Sequence, residues 1–203
     1  MNITRHLKGI VAAAALLAAC LVLPACNPIE NETQSASLLL VESLTGLDMN
    51  GTEGAFLQSD VVIQDPASGA TSVRADSATA IFRATTLDPD PLLGTSQYND
   101  IQLTRYVVTF LRADGQNRQG VDVPYQFEGP LSALIRTGVS TTASFVIVRE
   151  VAKQEPPLLN LRSAFPGEIL NVTAQVDFYG RDLANKAVKA TAAIPIFFAN
   201  YGN

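Results

Sequence analysis

An all-β sandwich is the fold class predicted by three observations in this 203-residue sequence. Apolar and polar residues alternate with a period of two along most of the chain beyond residue 36, while a 3.6-residue period is almost absent. Turn signals rich in Gly, Pro and Asp interrupt those runs at intervals that suit short strands. Charged residues make up 16% of the chain and hydrophobic residues 47%, which is enough for a packed core.

The strands follow in order. Residues 37–44 (SLLLVESL), 56–63 (FLQSDVVI) and 76–85 (DSATAIFRAT) open the body. In 101–112 (IQLTRYVVTFLR) the apolar phase changes: Ile101 and Leu103 are odd, whereas Tyr106, Val108 and Phe110 are even. A bulge near Thr104–Arg105 is the expected cause, because one extra residue flips every later side chain to the other face. Residues 121–128 (VDVPYQFE) alternate through Val121, Val123, Tyr125 and Phe127, and 143–151 (ASFVIVREV) follows. Two closing strands have the clearest alternation. Val172, Ala174, Val176 and Phe178 mark the first, at 169–179, and Val188, Ala190, Ala192, Ile194, Ile196 and Phe198 the second, at 188–198. Pro124 and Pro195 lack an N–H and belong at edges or bulges. Asp114-Gly115 and Tyr179-Gly180-Arg181-Asp182 supply turns.

About eight strands with no helical stretch predict a single immunoglobulin- or fibronectin-like β-sandwich over residues 37–203. The antibody hallmarks are missing, since there is no Trp and no cysteine beyond residue 26.

Both cysteines stand near the start. Residues 1–8 carry Arg5 and Lys8 without an acid, and residues 9–23 (GIVAAAALLAACLVL) are uninterruptedly apolar. That is the layout of a secretory signal peptide. Fifteen residues rise about 22 Å as a helix, short of a ~30 Å hydrocarbon core. Leu23-Pro24-Ala25-Cys26 resembles the lipobox of bacterial lipoproteins. The resemblance implies diacylglycerol on the Cys26 sulfur, cleavage just before it and acylation of the new amino terminus. A thiolate is the soft nucleophile that such a transfer requires. Leu17-Ala18-Ala19-Cys20 fits the same pattern, so Cys20 is the alternative attachment point. Cleavage before Cys20 leaves the apolar stub CLVLPAC, whereas cleavage before Cys26 leaves the polar segment CNPIENETQSAS. The second outcome suits a lipidated tether and favours Cys26.

The expected organisation is therefore a signal peptide at 1–25, a lipidated tether at 26–36 and the sandwich at 37–203. By resemblance to that family, Asn27 after the cysteine favours the outer membrane, because it is not the Asp that retains some lipoproteins at the inner one. The stretches LTRYVVTFLRADG, FVIVREVAKQEPPLLNL and QVDFYGRD resemble envelope lipoproteins of bacteria, which implies an extracytoplasmic address and no particular chemistry.

Composition narrows the function. The formal net charge is −5, and without residues 1–25 the 14 basic residues fall by two against 19 acidic ones. Nucleic-acid binding, which needs clustered Lys and Arg, is not expected. The only histidine, His6, lies in the signal peptide, so the mature body offers neither imidazole nor thiol. A Ser–His or Cys–His nucleophile and a zinc site are accordingly excluded, and no cofactor is expected. No phosphate loop and no dinucleotide fingerprint occur.

Carboxylates remain. Glu128, Glu150, Glu155 and Glu168 are candidates for the paired acids of a carbohydrate hydrolase, although their spacing does not single them out. Asp88, Asp90 and Asp100 are weak calcium candidates, equally explained as turn formers. Among the aromatic residues, Tyr98 has the best claim to exposure, being in a loop. Loop 152–168 (AKQEPPLLNLRSAFPGE) carries Leu158, Leu159 and Leu161 beside Pro156 and Pro157. These leucines either plug the end of the core or form an apolar contact surface. Loops 86–100 and 180–187 are expected at the opposite end. The predicted function is that of a lipid-anchored envelope protein, not an enzyme, with a structural or binding role toward a protein or glycan. The paired-carboxylate hydrolase is the alternative.

Overall fold

The computed structural model describes residues 35–65, 67–88, 90, 94–163 and 168–202. Cys20 and Cys26 lie outside them, as does Phe165 in the leucine-bearing loop. The chain runs β1 (Ser37–Leu47), β2 (Glu53–Gly54), β3 (Leu57–Asp60), β4 (Ile63–Gln64), β5 (Thr71–Ser72), β6 (Asp76–Thr86), β7 (Ile101–Leu111), β8 (Phe127–Ile135) and β9 (Ser140–Val148). A single helical turn, α1 (Leu158–Leu161), precedes β10 (Leu170–Asp182) and β11 (Ala187–Ala199). Short 3₁₀ turns occupy Gln97–Asn99 and Val151–Gln154.

Two sheets pack face to face. One has the order β2-β1-β6-β9, the other β3-β11-β10-β7-β8, and β4 with β5 makes a small separate hairpin. All the ladders are antiparallel except that of β3, which runs parallel to β11 with Leu57 opposite Ile196. The predicted all-β sandwich is present. Its eight principal strands divide as β1, β6 and β9 in one sheet and β3, β7, β8, β10 and β11 in the other, the layout of an immunoglobulin-type sandwich.

Alternation explains the core. Val172, Ala174, Val176 and Phe178 of β10 are buried, and on β11 Val188, Ile194, Ile196 and Phe198 face the same layer. β6 answers from the other sheet with Ala78, Ala80, Phe82 and Ala84. Small residues on β6 leave room for rings between the sheets. Phe82 meets Phe178 edge-on at 4.7 Å, Phe178 meets Phe145 edge-on at 5.3 Å, and the Tyr106 ring lies tilted against Phe145 at 4.7 Å. Edge-to-face pairs of this kind add to the burial of the rings themselves. The Tyr106 hydroxyl donates to the Val146 carbonyl at 2.8 Å, which satisfies its one polar atom.

The expected bulge is present at Thr104. Register shifts occur between Leu103 and Arg105 against β8, and opposite them between Tyr179 and Gly180 of β10. At this kink the backbones come close, and a Cβ on Gly180 would lie 2.5 Å from the Gln102 carbonyl oxygen. The obstacle is backbone in a central ladder and cannot rotate away. Gly180→Ala is therefore expected to destabilise the protein by about 1–3 kcal/mol, the usual range for overpacking, as a lowered denaturation midpoint. An unchanged midpoint would show that the bulge relaxes freely.

Three expectations need correction. Residues 121–128 are not a strand: Val121 and Tyr125 are exposed while Val123 is buried, so the apparent alternation does not define one face. The backbone N–H groups of Val121, Asp122 and Val123 all point at the Arg118 carbonyl, and the Asp122 carboxylate accepts from the Arg118 N–H. These local bonds capture the groups that a ladder would need. The strand lies instead at Phe127–Ile135, where Gly129-Pro130 resembles a turn signal. Gly129 is required there because a Cβ would meet the Tyr106 ring at 2.5 Å. Pro130 is tolerated because β8 is the outer strand, with β7 as its only neighbour. The last correction is at the end of β9, which stops at Val148 and is followed by the 3₁₀ turn and α1 where no helical residue was expected. Pro195, by contrast, meets its expectation. β3 pairs with β11 only from Ile196 onward, so Pro195 has one ladder partner, Thr173.

Candidate functional site

The strand directions sort the loops into two groups. Residues 35–36, 87–88, 90, 94–100, 136–139 and 183–186 gather at the end where the chain enters the sandwich, which bears out the pairing of the two loops expected to share it. The Leu183 N–H donates to the Asp100 carbonyl at 3.0 Å, and the Leu87 N–H to the Ala36 carbonyl at 2.9 Å. The other end carries the hairpin after β7, the Arg118–Asp122 turn and the described parts of the leucine-bearing loop, residues 151–163 and 168–169.

A cleft of about 690 Å³ opens at that far end. Arg112 and Asp114 line one side, together with Asp122; Asn160 and Leu161 of α1 line the other, and Ile169 to Thr173 form its floor. Each loop is fixed by its own polar bonds. The Asn117 side-chain carbonyl accepts from the Arg112 N–H at 2.7 Å and pins the hairpin. The Arg112 guanidinium binds both oxygens of Asp114, with Nε at 3.1 Å from Oδ1. The Arg118 guanidinium grips Asp122 in the same bidentate way, at 2.8 and 3.2 Å. Hydrogen bonds from these guanidinium groups hold the carboxyls of Asp114 and Asp122 below the ordinary aspartate range. Both stay ionised, and neither is suited to donate a proton as a general acid.

The structure places the predicted residues as follows. Leu158 is fully buried and Leu161 nearly so, and both point into the core. This corrects the candidacy of Leu158 as a partner contact, because a helical turn directs positions i and i+3 to one face, while Leu161 keeps only an edge on the cleft. Leu159, on the other face, is 39% exposed. Tyr98 is 61% exposed, but it sits on the 3₁₀ turn at the opposite end and is not brought together with the leucines. Asp100 spends a carboxylate oxygen on the Thr137 N–H, and Asp88 accepts from the Asp90 N–H. Among the described residues no group of three His, Cys, Asp or Glu side chains could hold a metal ion. Of the four candidate glutamates, Glu168 lines the cleft, whereas Glu128 pairs with Arg105 on the outer sheet face. Glu150 accepts from the Gln154 side-chain amide.

Beneath the same end lies a buried charged cluster that sequence reasoning missed. The Lys153 side chain is 1% exposed, and its ammonium lies 3.0 and 2.9 Å from the two oxygens of Asp76 and 2.7 Å from the Asp60 carbonyl. The Ser59 hydroxyl donates to Asp76 at 2.6 Å. Burial pushes the carboxyls of both Asp60 and Asp76 above the ordinary aspartate range. One oxygen of Asp60 is buried without a protein partner. The cluster also anchors the leucine-bearing segment, since the Arg162 guanidinium donates to the Lys153 carbonyl and Asn200 to the Arg162 carbonyl. An isolated Lys between Ala and Gln carries no sequence sign of burial.

No protein-family model, curated protein or solved structure matches this chain.

Proposed function

We propose that the protein is a lipid-anchored component of the bacterial cell envelope, attached through Cys26, whose sandwich binds a protein or glycan partner without transforming it. The observation that carries the binding role is the far-end cleft, built from three separately pinned loops. Binding sites on sandwiches are commonly made of loops held by a rigid scaffold. Its walls mix an aliphatic floor with guanidinium and carboxylate groups, the composition that orients a polar ligand. The anchor is supported by the basic start, the apolar run and the Leu-Pro-Ala-Cys motif.

The hydrolase reading is less well supported. A glycosidase needs one carboxyl with a raised pKa beside its substrate cleft. Asp114 and Asp122 in the cleft are shifted the other way, and the raised carboxyls, Asp60 and Asp76, are bound up with Lys153 beneath the surface.

Mass spectrometry of the mature N-terminal peptide tests the anchor: diacylglyceryl-modified Cys26 is expected, and unmodified cysteine at that position overturns the attachment site. Recovery of partners from detergent-solubilised envelope tests the cleft. Asn160→Arg with Ile169→Arg should abolish recovery while changing stability by no more than about 0.5 kcal/mol each, since both side chains are exposed. Undiminished recovery would exclude the cleft as the binding site.

A further inference from the structure

We infer that the end of the sandwich where the chain enters rests against the bilayer surface, with Leu87, Tyr98, Val139 and Leu183 seated among the lipid headgroups. The inference deepens the proposed envelope role and rests on the anchor at Cys26. All four side chains are exposed and large, and each comes from a loop at this end.

The loops are tied together rather than separate. The Leu87 N–H donates to Ala36, the Ser37 hydroxyl to the Asn99 carbonyl at 2.7 Å, the Thr137 N–H to the Asp100 carboxylate at 2.8 Å, and the Leu183 N–H to the Asp100 carbonyl. The Ser35 hydroxyl closes the set on Asp182 at 2.6 Å. Four apolar tips on one braced platform need no ordering when they meet an interface. An aromatic residue with a polar tip, such as Tyr98, suits the boundary between headgroup and acyl chain.

Charge separates the two ends. At the entry end Asp182 is buried and Asp100 is engaged internally, which leaves the exposed acids Asp88 and Asp90 against Arg136 and Arg181 among the described residues. The far end exposes Glu53, Asp65, Asp114, Glu150, Glu155 and Glu168 against Arg74 and Arg118, and so keeps an acidic excess. Anionic headgroups repel the second surface and not the first.

Chain length supplies the orientation. Eight residues lie between Cys26 and Ser35, nine steps along the chain, and even fully extended they span no more than about 32 Å. The 13 residues of β10 rise roughly 44 Å between the two ends. An inverted domain would hold Ser35 farther from the bilayer than the tether reaches. The entry end therefore faces the membrane, and the cleft faces away from it.

The test uses the full lipidated protein in vesicles of phosphatidylethanolamine and phosphatidylglycerol. A fluorophore is placed on Leu87→Cys, Leu183→Cys or Gln116→Cys, all three being exposed positions in a body that otherwise lacks cysteine. Lipids brominated near the headgroup quench a probe that touches them. Quenching at 87 and 183 should exceed that at 116 several-fold. Equal, weak quenching at all three positions overturns the contact while leaving the anchor intact. Self-quenching at 87 and 183 that grows with protein density, without quenching by bromolipid, assigns the loops to a second copy and also overturns it. Protein that does not float with vesicles and carries no lipid on Cys26 overturns the anchor, and this inference with it.

Discussion

Lys153→Met is expected to lower the melting temperature by on the order of 10 °C. Methionine keeps most of the stem and removes the ammonium, which leaves Asp76 with the Ser59 hydroxyl but no counterion and takes the Lys153 donor from the Asp60 carbonyl. Removing one partner of a buried ion pair costs about 3–5 kcal/mol, because the other charge stays behind uncompensated. For a domain of this size each kcal/mol corresponds to about 2–4 °C. Adding Asp76→Asn should recover part of the loss, since the amide needs no counterion. The pH dependence has a definite sign. Burial raises the folded-state pKa of Asp60 and Asp76 above the unfolded value, so their contribution is fully present below the unfolded value and lost as pH rises through the raised folded values. The positive charge of Lys153 opposes that rise in both groups. Without it the deficit should be larger near pH 7 than near pH 4, as thermal melts at the two values would show. A deficit independent of pH would mean that Lys153 acts through packing alone.

What could be read from the sequence divides along a physical line. Period-two alternation is a property of single strands, so β6, β7, β10 and β11 were recognisable, as was the bulge at Thr104, where the alternation slips by one. The strand at 121–128 failed because alternation there is coincidental: Gly120 at positive φ and the Arg118–Asp122 pair fold the backbone onto itself. β8 was missed for the converse reason, since Gly129 serves the Tyr106 ring and Pro130 an open edge rather than a turn. The cleft and the Lys153 cluster were illegible in another way. Asp60, Asp76 and Lys153 come from β3, β6 and the 3₁₀ turn, and only the sandwich topology makes them neighbours. Local sequence contains no trace of that meeting. Leu158, Leu159 and Leu161 were legible as apolar but not as two faces, because one helical turn in a proline-flanked loop is too short to show a period.

Those two faces give the second large effect. Leu158→Ser is expected to destabilise the protein by about 2–5 kcal/mol, as a lowered denaturation midpoint with an unchanged slope. The side chain is fully buried in the apolar core, so truncation opens a cavity in which the serine hydroxyl lacks a polar environment. Leu159→Ser should stay within roughly 0.5 kcal/mol, because its side chain already meets solvent. The turn cannot simply swing away to relieve Leu158. Its ends are held by the Leu159 N–H on the Glu155 carbonyl at 2.9 Å and by Arg162 on Lys153, which is itself locked to Asp76. Leu161 faces the core on one side and borders the cleft on the other, so loss of the Leu158 plug should also loosen the cleft wall. Partner recovery separates the roles. Leu159→Ser with full stability and lost recovery would place the contact on the outer face of the turn, whereas retained recovery would confine binding to the cleft itself. A stable Leu158→Ser protein would contradict the plug, and with it the account of how the far-end loops are held.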